Sequence, residues 1–147
     1  MRRRTTVPSD AAQLAVVTQF LQEFWRAAEL PPAEARTFEL ALEEIFMNVV
    51  MHGSPAGHEP RIEVSLEFCD GKMILTVEDD GPPFDPLSLP PPDVTASLEE
   101  RRVGGLGVFL VRQMMDDVSY RRTGKRNRLR SCKRIAPPAT SAERMKH

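Results

Sequence analysis

Apolar residues fall at helical spacing in two early stretches of the chain and in strict alternation further on. Leu14, Val17, Leu21 and Phe24 recur every three or four positions, which predicts a helix capped by Ser9 or Asp10 and running to about Glu29. Residues 2–7, before it, fit a short edge strand. Pro31 and Pro32 break the first helix, and Pro32 suits the first turn of a second. That second helix is expected from Ala33 to His52, with Gly53 ending it.

Alternation then replaces helical spacing. In "RIEVSLEF" Ile62, Val64, Leu66 and Phe68 share one face, and in "KMILTVED" Met73, Leu75 and Val77 do the same. Asp70-Gly71 between the two runs is a strong hairpin signal. Residues 80–103 hold six of the thirteen prolines and show no period; a loop this long inside a compact domain points to function or disorder. "GGLG" at 104–107 opens a third helix, Val108 to about Met115. The runs "DVSYRR" and "NRLRSCKRI" predict two more strands joined by a turn at Thr123–Arg126. The polar stretch 137–147 reads as a tail, and there are no internal repeats. The expectation is one domain over residues 1–136.

Three places along this pattern carry chemistry. On the second helix Phe38, Leu42, Ile45 and Val49 form the core stripe, while Arg36, Glu39 and Glu43 point to solvent. Glu44 lies on the side of Leu40, Met47 and Met51, and begins a row Glu44, Asn48, His52 at spacing i, i+4, i+8. An amphipathic helix with an untidy boundary explains that row equally well. One step beyond the second strand of the hairpin, Asp79 falls on the buried face with Met73, Leu75 and Val77. A carboxylate there is costly unless hydrogen-bonded, and it suits a ligand that offers N–H donors; an ordinary acid at a strand end is the plain alternative. Gly81 lets the backbone pass close to such a ligand. Glycines opening a helix leave N–H groups free for an anion, although "GGLG" fits neither the Walker A pattern nor G-x-G-x-x-G.

Composition narrows the field. With 147 residues, 41% hydrophobic and 28% charged, the chain is long enough for its own core. A net charge of −1 gives no general pull toward nucleic acid or membrane. Cys69 and Cys132 lie far apart in no metal-like spacing, which fits a reduced, cytoplasmic setting. No apolar run reaches membrane-spanning length.

Taken together and in order, "LALEEIFMNVVMHG" (40–53), "VEDDGPPFDP" (77–86) and "GGLGVFLVRQMMDDVSY" (104–120) resemble the GHKL, or Bergerat-fold, ATP-binding domain. More narrowly they resemble the bacterial anti-sigma-factor serine kinases. The likeness covers about residues 10–135. It implies an α+β fold: a two-layer sandwich with a mixed, mostly antiparallel sheet covered on one face by three helices. It assigns the general base to Glu44, the Mg²⁺ ligand to Asn48, the adenine amino contact to Asp79 with Gly81 beside it, and the phosphate surround to Gly104, Gly105 and Gly107. The segment between the second and third motifs becomes an ATP lid. The implied activity is ATP-dependent phosphorylation of a serine or threonine on an anti-sigma-factor antagonist, with a sigma factor as second partner and a homodimer as the assembly.

One departure stands out. Where many relatives have a second glycine in D-x-G-x-G, this chain has Pro83. A non-catalytic binding module whose shape is set by nucleotide is therefore the competing reading. The stretch "RRTGKRNRLRSCKR" (121–134), with eight basic residues and no acid, raises nucleic-acid binding. It spans two predicted strands with only Tyr120 nearby for stacking, so a solvated sheet edge or a dock for an acidic protein surface suits it better. His52 fits either the phosphate end of a pocket or a helix C-terminus favoured by the dipole.

Overall fold

Five strands and three helices follow one another much as the hydrophobic pattern anticipates, in a computed structural model that describes residues 1–52, 60–88 and 105–135. The elements are β1 (Arg2–Pro8), α1 (Leu14–Ala27), α2 (Pro32–His52), β2 (Arg61–Cys69), β3 (Lys72–Asp79), α3 (Gly105–Met114), β4 (Asp117–Thr123) and β5 (Arg126–Arg134). The expected cap at Gly53, Gly104, most of the 80–103 segment and the tail lie outside the described residues.

The strands form one sheet in the order β1-β2-β3-β5-β4. Its four pairings are all antiparallel, so the described sheet is not mixed. The β2–β3 hairpin closes through Asp70 and Gly71, at φ 53° and 78°. Both central residues are left-handed, the geometry that matches the twist of paired strands.

Alternation decides which face is covered. Ile62, Val64 and Leu66 of β2 and Met73, Leu75 and Val77 of β3 are buried under the helices. Each such side chain is worth about 1.5–3 kcal/mol relative to exposure. Phe38, Leu42 and Ile45 of α2 meet them, joined by Val17, Leu21 and Phe24 of α1. Ala41 and Phe46 are also buried, because α2 packs between α1 and α3 as well as on the sheet. Its apolar surface is therefore wider than a single stripe.

Local chemistry sets the ends of these elements. Asp10 caps a short 3-10 turn at Ala11–Gln13 that leads into α1, its side chain accepting from the Ala12 N–H. Past the end of α1 at Ala27, Glu29 takes φ 55°, so that the Leu30 N–H reaches back to the Trp25 carbonyl at 3.1 Å. Lys133 Nζ of β5 meets Glu34 Oε2 at 2.7 Å and ties the sheet to the first turn of α2. The result holds the last two turns of α2 over the ends of β3 and β5.

Candidate nucleotide site

The ends of α2, β3 and β5 enclose a cavity. Its floor is apolar: Ile45 and Val49 from α2, Val77 from β3 and Leu129 from β5. Its polar groups are few: Asn48 and His52 from α2, Asp79 at the end of β3, Tyr120 and Asn127. An apolar slot with a few converging polar atoms is the usual build of a small-molecule site.

Asp79 is 4% exposed. Its Oδ2 accepts from the Gly81 N–H at 3.0 Å and from Asn127 Nδ2 at 3.1 Å. Burial pushes its carboxyl above the usual carboxylate range; the Asn127 and Gly81 donors pull it back, Asp80 raises it and Arg122 lowers it. Arg122 itself donates to the Gly81 carbonyl at 2.7 Å.

Asn48 is 3% exposed. Its Nδ2 donates to the Glu44 carbonyl one turn back, at 2.8 Å. Its Oδ1 is buried without a hydrogen-bond partner. A buried carbonyl oxygen left open in this way normally costs free energy. It fits a hard cation, whose preferred ligands are oxygens of this kind.

Glu44 sits one turn before Asn48, against α3. A methyl group added at Gly107 would lie 1.8 Å from Glu44 Oε2 and 2.4 Å from its Cδ. Burial first, then the neighbouring Glu43, raise the Glu44 carboxyl. Gly105 forms the first residue of α3, so the free N–H groups of that helix start beside Glu44.

The structure therefore brings Asn48 and Asp79 to one cavity, binds Gly81 to Asp79, and places Glu44 and Gly107 together. His52, the last residue of α2, lines the cavity and stacks on Phe84, with centroids 4.4 Å apart and planes at 21°. The basic stretch 121–134 is divided between faces. Arg126 and Arg128 pair with Glu78 at 3.1 and 3.5 Å, whereas Arg122 turns to the Gly81 carbonyl. Sequence reasoning missed Asn127, Phe84 and Tyr120. For Asn127 a signal existed: it shares the parity of Leu129 along β5, and thus the covered face.

Residues 7–133 match the histidine kinase-like ATPase domain family. The chain belongs to that family. Among its relatives, the serine/threonine-protein kinase BtrW of Bordetella bronchiseptica is 31% identical over 101 residues, covering 69% of this chain and 71% of BtrW. The serine-protein kinase RsbW of Listeria monocytogenes is 33% identical over 84 residues, 54% of each chain. RsbW of Staphylococcus aureus is 25% identical over 124 residues, 80% of this chain and 78% of RsbW. The solved RsbU and RsbW domains of Rv1364c from Mycobacterium tuberculosis superpose with TM-score 0.68 at 14% identity, over 94% of this chain and 33% of that one. This likeness shows a shared fold.

Proposed function

We propose that this ATPase-family chain is a protein serine/threonine kinase that also serves as an anti-sigma factor in a partner-switching system. One observation carries the reading: the open, buried Oδ1 of Asn48 and the carboxylate of Asp79 share a cavity, and Glu44 stands one helical turn away against the start of α3. A ligand for a cation and a proton acceptor thus lie one turn apart on α2, beside the β3 end that offers recognition of a base.

Asp79 accepts from the exocyclic amine of adenine, and the apolar floor of Ile45, Val49, Val77 and Leu129 takes the ring. The start of α3, with Gly105 and Gly107, faces the phosphates and presents N–H groups and the positive end of the helix dipole. Asn48 Oδ1 is the protein ligand for Mg²⁺. When bound, ATP with Mg²⁺ supplies the transferable phosphoryl group and neutralises its charge, which is most of what catalysis of this transfer needs. Glu44 takes the proton of the incoming serine or threonine hydroxyl. Its raised proton affinity suits a base working near neutral pH.

The kinase names of BtrW and RsbW support the activity. The resemblance of the three motifs to anti-sigma-factor kinases supports the partners: a small antagonist that receives the phosphate, a sigma factor, and a second copy of this chain. A sigma-factor partner puts the reaction in the cytoplasm. Among the described residues no helix is long and apolar enough to cross a membrane.

The test is transfer of label from γ-labelled ATP to serine or threonine of a small protein that co-purifies with the chain. Labelling that needs Mg²⁺ is the expected result. Binding of ATP with no transfer to any co-purified protein would instead leave a nucleotide-gated binding module.

A further inference from the structure

Asn127 stands directly opposite Asp79 in the β3–β5 ladder and is 6% exposed. All the hydrogen-bonding capacity of its amide goes to the nucleotide site. Nδ2 donates to Asp79 Oδ2 at 3.1 Å and to the Pro82 carbonyl at 2.8 Å. Oδ1 accepts from the Phe84 N–H at 3.3 Å and from the Tyr120 hydroxyl. One side chain therefore binds the acid, the backbone three residues past it and the backbone N–H of Phe84, whose ring stacks on His52.

The consequence for Asp79 is geometric. With the Gly81 N–H and Asn127 Nδ2 both on Oδ2, that oxygen is occupied, and no donor among the described residues reaches Oδ1. A carboxylate can rotate about its Cβ–Cγ bond; one held by two donors on a single oxygen cannot do so without breaking both.

We propose that Asn127 is a positioning residue of this site: its amide fixes Asp79 Oδ2 and the Gly81–Phe84 turn in one arrangement, so that Oδ1 alone is presented to the base. The proposal rests on the ATP-site reading above. It assigns a role to a residue that acts on the site through Asp79 and the turn. The same bonds couple the acid to the turn, so a shift of Phe84 away from β5 also frees Asp79.

The charged and titratable groups around Asp79 are Asp80, Arg122, His52 across the cavity and Tyr120 behind Asn127. Of these Tyr120 is linked to Asp79 through Asn127. Asn127→Asp is nearly isosteric, but puts an acceptor where the donor to Oδ2 stood. Asn127→Leu keeps volume and removes every bond.

The experiment uses the full chain, ATP with Mg²⁺ in calorimetry over a pH series, and the Asp79 carboxyl titration followed by NMR. For Asn127→Asp and Asn127→Leu, ATP affinity falls roughly 10- to 100-fold at neutral pH, the scale of one hydrogen bond to a charged group. The acid limb of binding and the Asp79 titration both move to higher pH, because a donor favouring the ionised form is gone. Unchanged affinity in both Asn127 variants, or lower affinity with the Asp79 titration unmoved, overturns the proposal. If wild type binds no ATP, the ATP-site reading fails by itself, while the titration still decides whether Asn127 governs this carboxylate.

Discussion

The Glu44 carboxylate occupies the space where a side chain at position 107 would begin. A Cβ on Gly107 would stand 1.8 Å from Glu44 Oε2, so glycine at this point of α3 is what lets the acid rest against the helix start. On the proposed function, the contact fixes the proton acceptor relative to the N–H groups offered to the phosphates.

Gly107→Ala must displace that carboxylate. The displaced group is the end of a flexible side chain, and alanine favours a helix by up to about 1 kcal/mol over glycine. The melting temperature should therefore change little. Transfer should fall roughly 10²-fold, the scale of a catalytic group misplaced by about an ångström. Parallel thermal denaturation and phosphotransfer assays check this; an active Gly107→Ala enzyme would remove the contact from the mechanism.

Asp79→Asn should weaken ATP binding by about 1–3 kcal/mol, because an amide cannot accept at both of its polar atoms. Stability should move the other way with pH. The folded-state pKa of Asp79 is raised, so the folded chain holds this proton more tightly than the unfolded one. The stability linked to that proton is complete below the ordinary aspartate range, about pH 3.9, and is lost as pH rises through the raised value. Wild type should thus lose stability relative to Asp79→Asn over that window. Chemical denaturation of both proteins across acid to neutral pH measures it, and parallel curves would show that Asp79 pays no burial cost.

Asn48→Ala removes the open oxygen and leaves the helix intact, since its Nδ2 bond goes only to the Glu44 carbonyl of the same helix. The Mg²⁺-dependent part of ATP affinity should disappear, and transfer with it. Asn48→Asp keeps an oxygen ligand and should retain Mg²⁺ dependence. Titrations with and without Mg²⁺ decide this: equal Mg²⁺ response in wild type and Asn48→Ala would place the cation elsewhere.

The framework was legible because hydrophobic spacing reports burial directly. Met73, Leu75 and Val77 are inside as the alternation required, and extending it by one step found Asp79. The Glu44 row was legible as spacing only; its meaning needed α3, which brings Gly107 from more than sixty positions away in the sequence. The parity of Asn127 with Leu129 put it on the covered face, but its partner Asp79 needed the β3–β5 register. The His52–Phe84 stack joins a helix end to a proline-rich turn, and no periodic signal links the two. The second side of α2, Ala41 and Phe46, was missed because a helix packed between two others has no clean polar face.

The central claim is that Glu44 acts in transfer and not in holding the nucleotide. The most direct measurement is ATP affinity and phosphotransfer to the antagonist in Glu44→Ala beside wild type. Expected are affinity within a few-fold and transfer reduced by roughly 10²-fold or more, the scale of a lost general base. Transfer in Glu44→Ala equal to wild type would contradict it.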